Sequence, residues 1–165
     1  MVAIVRIFTR LRKYENSSNS RGNMQVFIIG SPLETAMAMA GDTRRYNKQI
    51  LETQQILDAL NGKKAWSNHP CVLQYRGYEE WLREYRRCLS AWKDNDKLTA
   101  FIAEQWCHIT RPKWHTQEYF DQMKRRLFEK DELHYKQWSF LGKSLDNWYY
   151  IDGKFVKYRN GKRIA

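Results

Sequence analysis

Lys48 and Glu52 stand four residues apart in RRYNKQILETQQIL, with Arg45 three before the lysine and Gln55 three after the glutamate. At the helical period these four side chains share one face. Spacing alone describes a surface ion pair of small energy equally well. The sharper reading is a polar stripe that handles a phosphate or a sugar. A carboxylate beside cations can stabilise developing positive charge or shuttle a proton. His69, Cys71, Cys107 and His108 are zinc-ligand types, but "HPC" and "CH" match no finger or ribbon spacing, and no metal is expected. A third stretch, HTQEYFDQMKRRLFEKDELHYKQW, mixes Lys124, Arg125, Arg126, Lys130 and Lys136 with Tyr119, Phe128, Tyr135 and Trp138. Cations suit phosphates and rings suit unstacked bases. An ordinary amphipathic helix carries the same pattern, and His134 taken by itself reads as structural. The chain has no Walker loop, no dinucleotide fingerprint, no Gly-x-Ser-x-Gly and no His-Glu-x-x-His.

The elements that must position these residues follow from local signals. QVFII, from Gln25, reads as a short buried strand. Ser31, Pro32 and Glu34 form an N-cap, first-position proline and capping-box glutamate for a short helix ending at Gly41. A helix over about Thr43–Leu60 carries the apolar stripe Tyr46, Ile50, Thr53, Leu57, Leu60 and stops at Asn61–Gly62. The next opens near Pro70, where Asn68 is a candidate cap, and its face is Tyr78, Trp81, Leu82, Tyr85, Cys88, Leu89 and Trp92. Asp96 and Thr116 would cap two more, and Asp131 would open a sixth through ELHYKQW. WYYIDGKFVKY is a hairpin around Asp152–Gly153, with a basic tail from Lys154 to Arg163 able to lie along DNA. The fold class is mainly α: one compact helical domain with a short N-terminal extended segment and a small C-terminal β-hairpin.

The chain has 165 residues, 42% hydrophobic and 15% aromatic, enough for one core. No run approaches the roughly 20 apolar residues of a membrane span. Cys71, Cys88 and Cys107 make an odd count without framework spacing, as in a reducing cytoplasm. With 29 Lys and Arg against 18 Asp and Glu, the net charge is +11, which points to an acidic partner, first of all nucleic acid. Residues 1–23 differ: YENSSNSRGN is polar and aperiodic, so 1–23 reads as a disordered extension or a mis-assigned start, and the domain as 24–165.

RRYNKQILETQQIL, SNHPCVLQYRGYEEWL and HTQEYFDQMKRRLFEKDELHYKQW resemble the signature blocks of the pyrimidine-dimer DNA glycosylase family, the family of the bacteriophage endonuclease V repair enzyme. The resemblance runs from about Met24 to Trp138. It is strongest to relatives with Lys-x-x-x-Glu followed by Asn-His-Pro. It implies a helical single domain without cofactor or metal, acting on double-stranded DNA with damaged bases. The implied activity is a glycosylase coupled to strand cleavage at the abasic site through an amine–imine intermediate. Glu52 matches the essential glutamate. Arg45, seven before it, stands where relatives have His or Arg. Lys48 and Gln55 match the polar stripe, and His69 the histidine that opens the next helix.

The family nucleophile is an α-amine, which places it at Met24 or Gln25. The attacking nitrogen must be neutral. An α-amine titrates near about 7.7–8.0 and an ordinary lysine near about 10.4, so Lys48 needs desolvation or a nearby cation to compete. Met24 is the expected start, and Met before Gln is usually retained. Lys124, Arg125, Arg126, Lys130 and His134 are the expected DNA contacts. The expected setting is the cytoplasm of a bacterial or phage-infected cell, and the expected state a monomer. The alternatives are a glycosylase or lyase for another modified or abasic site, and a non-catalytic DNA-binding protein of the same fold.

Overall fold

The computed structural model describes residues 24–165; residues 1–23, and with them the expectation of an extension or mis-assigned start, lie outside the described residues. Six α-helices follow in order: α1 Pro32–Met39, α2 Thr43–Leu60, α3 Pro70–Tyr75, α4 Glu79–Lys93, α5 Lys97–Ile109 and α6 Gln117–Lys130. A 3₁₀ helix over Lys136–Leu141 leads to β1 Asn147–Ile151, β2 Lys154–Arg159 and β3 Lys162–Arg163, an antiparallel sheet in the order β1-β2-β3. The chain is mainly helical with a small C-terminal sheet, as its patterning predicts.

The caps explain the boundaries. Ser31 and Glu34 make the reciprocal capping box of α1. Asp42, Asp96 and Thr116 accept from the backbone N–H of Arg45, Thr99 and Tyr119, three residues on in each case. α3 is capped by His69 rather than Asn68, its Nδ1 accepting from the Cys71 amide at 3.1 Å.

Four expectations are corrected. QVFII forms no strand: it runs extended through the core, with Val26 and Ile28 fully buried. Buried backbone groups need partners, and here side chains supply them. Gln49 Nε2 donates to Gln25 O (2.9 Å), its Oε1 accepts from Phe27 N (2.5 Å), Tyr85 OH donates to Phe27 O (2.5 Å), and Tyr149 OH donates to Met24 O (2.7 Å). The helix expected from Pro70 through Trp92 breaks into α3 and α4, because Gly77 turns the chain at φ +88°. Asp131 caps only a turn, accepting from His134 N, before the 3₁₀ segment. The hairpin gains a third strand. Asp152–Gly153 (φ +51°, +79°) and Asn160–Gly161 (φ +49°, +75°) are both turns with two positive φ angles, the geometry that joins twisted antiparallel strands.

The core is a stack of rings. Trp81 lies between Tyr75 and Tyr85, with centroids at 5.6 and 5.0 Å, and the three are 0–1% exposed. The buried face of α2 is not the purely apolar stripe expected from its sequence. Gln49 and Glu52 are buried with Tyr46, Thr53, Ile56 and Leu57, while Leu51 is exposed. α2 is thus rotated so that polar side chains face the 24–28 segment.

Candidate active site

Glu52 sits on the buried side of α2, 9% exposed. Lys48, one turn earlier and half-exposed, places Nζ 3.5 Å from Glu52 Oε1. The backbone N–H of Gln25 approaches the same carboxylate and favours its charged form. Burial pushes the Glu52 carboxyl up to about 7, against the opposing pull of Lys48, the Gln25 amide and Lys130. A carboxyl poised there exists in both protonation states at neutral pH, the property a general acid–base group needs.

Two cations act on this carboxylate, Lys48 from α2 and Lys130 from α6, and Arg45 stands near Lys130. Arg45 is ion-paired with Asp42 (3.3 Å) and lies over the Phe27 ring at 6.0 Å. Lys130 enters from the last turn of α6. Its ammonium is lowered to about 8, first by burial and then by Arg126 and Arg45. Gln55, half-buried, continues the polar stripe of α2.

α6 separates the basic residues that looked alike in the sequence. Arg126 and Lys130, four apart, share a face toward α2 and are both coupled electrostatically to Arg45. Lys124 is held by Asp121 (3.4 Å), and Arg125 Nε donates to Leu141 O (3.0 Å). Arg126 is 4% exposed and bonded to Asn147 Oδ1 (3.0 Å), Ser144 O (2.9 Å) and Glu129 (3.1 Å). It ties the C-terminal sheet to α6. His134 Nε2 lies 2.9 Å from Ala38 O, and its ring fills the space above Gly41.

His69 is buried, and burial lowers its imidazole to about 4. Neutral, with Nδ1 accepting as the α3 cap, it packs edge-on to Tyr149 (5.9 Å) and Trp66 (5.8 Å). Met24 is buried, and Gln25 is 1% exposed, its Nε2 donating to Trp148 O at 3.0 Å. Gln25, Lys48, Glu52 and Lys130 therefore converge with Arg45 close by. Lys124, Arg125 and His134 are engaged elsewhere in the contacts described.

Sequence reasoning missed three residues here. Gln49 clasps the 24–28 segment against Glu52. Its only signal was a polar residue on the side of α2 that packs inward. Tyr149, fully buried, stands beside Glu52 from the C-terminal sheet, and no local pattern marks that contact. Trp66, half-buried in the α2–α3 loop, holds φ +68°, a left-handed conformation costly for a bulky residue.

Among the described residues no cluster of His, Cys, Asp and Glu could hold a metal ion, and no helix is long and apolar enough to cross a membrane. Residues 24–91 match the family model described as pyrimidine dimer DNA glycosylase, the same family that the sequence blocks resemble. The match takes in α1, α2, α3 and most of α4, and with them Gln25, Arg45, Lys48 and Glu52. No curated protein and no solved structure gives a significant match.

Proposed function

We propose, from the match of residues 24–91 to the pyrimidine dimer DNA glycosylases, that this chain is a DNA repair glycosylase that removes dimerised pyrimidines and cleaves the resulting abasic site. The observation that carries the reading is the approach of the Gln25 nitrogen to a carboxyl held near neutrality. In a chain beginning at Gln25 that nitrogen is a free α-amine, already against its proton acceptor. In a chain beginning at Met24 the amine stands one residue further out.

The steps follow from that juxtaposition. The neutral amine attacks C1′ of the damaged nucleotide as the glycosidic bond breaks, and the bonding pair leaves with the base. The Glu52 carboxylate takes the surplus proton from the new C–N centre and returns it to O4′ as the sugar ring opens to an iminium. Glu52, again a carboxylate, takes a proton from C2′, and its electron pair expels the phosphate at C3′. Arg45, Lys48 and Lys130 offer positive charge to the flanking phosphates. Opening the duplex to reach C1′ costs a few kcal/mol, least where stacking is already broken, which favours distorted DNA. Trp66, strained and half-exposed beside His69, is suited to stack on the disturbed bases.

A second reading makes Lys48 the nucleophile, because its Nζ is 3.5 Å from the same carboxylate. Borohydride trapping separates the two. Protein starting at Met24 is mixed with UV-irradiated duplex and, separately, with an abasic duplex, then reduced, and the adduct is located by peptide mass spectrometry. An adduct on the N-terminal residue with irradiated DNA is the expected result. An adduct on Lys48 moves the nucleophile. Trapping on abasic DNA alone leaves a lyase or another base lesion, and no adduct on either DNA overturns the imine mechanism.

A further inference from the structure

α5 turns its small residues inward and its large ones outward. It packs on α4 and α1, and its buried residues are Ala100, Ala103, Glu104 and Cys107. Ala100 and Ala103 close a small core with Cys88 and Ala91 of α4. On the other side Leu98, Phe101, Ile102, Trp106 and Ile109 are 39–74% exposed. Spacings of three and four put all five on one face with the exposed Gln105. Single exposed apolar residues are ordinary, whereas a contiguous stripe of large ones marks a surface that another surface covers. α5 also stands apart from the cluster around Glu52, which α2, α6 and β1 build.

The surface that fits is a second copy of the same stripe. The five side chains expose about 600 Å², the upper end of what a monomer leaves open in one patch and most of the roughly 800 Å² that each partner of a stable dimer covers. The stripe carries no charge, because Glu104 is turned inward and accepts from Leu33 N at 2.9 Å. In a chain of net charge +11, such a face can meet its own copy without repulsion. Positions 98, 101, 102, 105, 106 and 109 have the same spacings read from either end. An antiparallel copy, related by a two-fold axis between Ala103 and Glu104, sets Leu98 level with Ile109, Phe101 with Trp106 and Ile102 with Gln105. The ends favour that direction. Exposed Asp94 and Asp96 stand at the start of α5 and form no ion pair among the described residues. They outnumber Lys97 there, and Lys93 is turned to Asn47 (2.7 Å). Exposed Arg111 and Lys113 follow the other end. An antiparallel pair brings the acidic end of one copy to the basic end of the other, and a parallel pair would bring like ends together.

We propose that the exposed face of α5 is a homodimer interface, an antiparallel α5–α5 pair about a two-fold axis, in place of the monomer expected from the sequence. The test is sedimentation velocity of the full chain, without DNA, over a range of concentrations. A reversible monomer–dimer equilibrium is expected, weakened at least tenfold in Phe101→Glu/Trp106→Glu. Both side chains are exposed, so the variant should keep the circular dichroism of the wild type. A chain that stays monomeric at every concentration overturns the pair and leaves the face to residues 1–23 or to another protein. A dimer of unchanged affinity in the double variant places the interface elsewhere and overturns it too. The direction has its own readout, because Cys71, Cys88 and Cys107 are buried. Ile102→Cys, beside the axis, should form a disulfide-linked dimer on oxidation much faster than Leu98→Cys, whose two copies lie about 16 Å apart along the pair. Equal rates overturn the antiparallel pairing. The adduct formed at the N-terminus on saturating abasic DNA should be the same in wild type and Phe101→Glu/Trp106→Glu, so failure of the dimer and failure of the catalytic reading are seen separately.

Discussion

At the scale of single residues, Glu52 works at a cost to stability. The folded carboxyl keeps its proton up to about pH 7, whereas an ordinary one releases it near 4.5. Between those values the folded state binds more protons, so stability falls as pH rises. The deficit at pH 8 is about 3 kcal/mol. Glu52→Gln should therefore raise stability in urea by about 3 kcal/mol at pH 8, with the gain vanishing toward pH 4. The same variant should lose about 10²–10⁴-fold in cleavage while keeping its affinity for DNA. Cleavage and binding both unchanged would leave a binding protein of this fold. His69 has the opposite sign. Its folded pKa is about 4 against an ordinary 6.5, so the unfolded state takes the proton first and stability falls as pH drops through that window. Between pH 4.5 and 6.5 the two slopes oppose each other. Wild type should thus lose stability toward acid less steeply there than Glu52→Gln, read as unfolding midpoints across pH. Buried His115, also lowered below its ordinary value, adds to that loss.

At the scale of elements, the 24–28 segment shows how an apolar run avoids being a strand. Its backbone is matched by Gln49, Tyr85 and Tyr149 from three different elements, a job a neighbouring strand would otherwise do. Gln49→Met keeps the volume but leaves Phe27 N and Gln25 O buried without partners. The expected cost is about 3 kcal/mol in urea unfolding, with a fall in trapped adduct because the Gln25 nitrogen is no longer held against Glu52. A loss of stability with full trapping would detach the clasp from the chemistry. Gly77 explains the α3–α4 break: at φ +88° a side chain is strained, and Gly77→Ala should cost about 1 kcal/mol. That glycine was visible in the sequence, but the apolar face from Tyr78 to Trp92, read as one helix with Pro70, outweighed it.

At the scale of the whole molecule, the net charge of +11 predicts salt-dependent binding whichever reading holds. The fold sorts the cations. Lys130→Ala should lower the slope of log K against log salt by about 1 and also reduce cleavage. Lys124→Ala, on another face of α6, should leave cleavage intact. Equal effects of both on cleavage would mean that DNA lies along the whole of α6. Arg126→Ala should instead lower stability, since it breaks bonds to Asn147 and Ser144 that dock the C-terminal sheet.

What the sequence determined by itself was local. Capping residues fixed the starts of α1, α2, α5 and α6, and Asp-Gly fixed the hairpin. The four-residue spacing put Lys48 beside Glu52, because one turn of helix sets that distance whatever surrounds it. Asn160–Gly161 obeys the same rule, but the stretch from Lys154 to Arg163 reads in the sequence only as a basic tail, and both its turn and its short strand come from the structure. Tertiary structure alone decided the rest. It brought the Gln25 nitrogen, Lys130 and Tyr149 to Glu52 from positions 27, 78 and 97 residues away along the chain. It buried Arg126 and left Lys48 half-exposed, and it desolvated Glu52 enough to move its pKa. Burial and long-range approach depend on how elements pack, and periodicity within one element carries no record of the neighbour it will face.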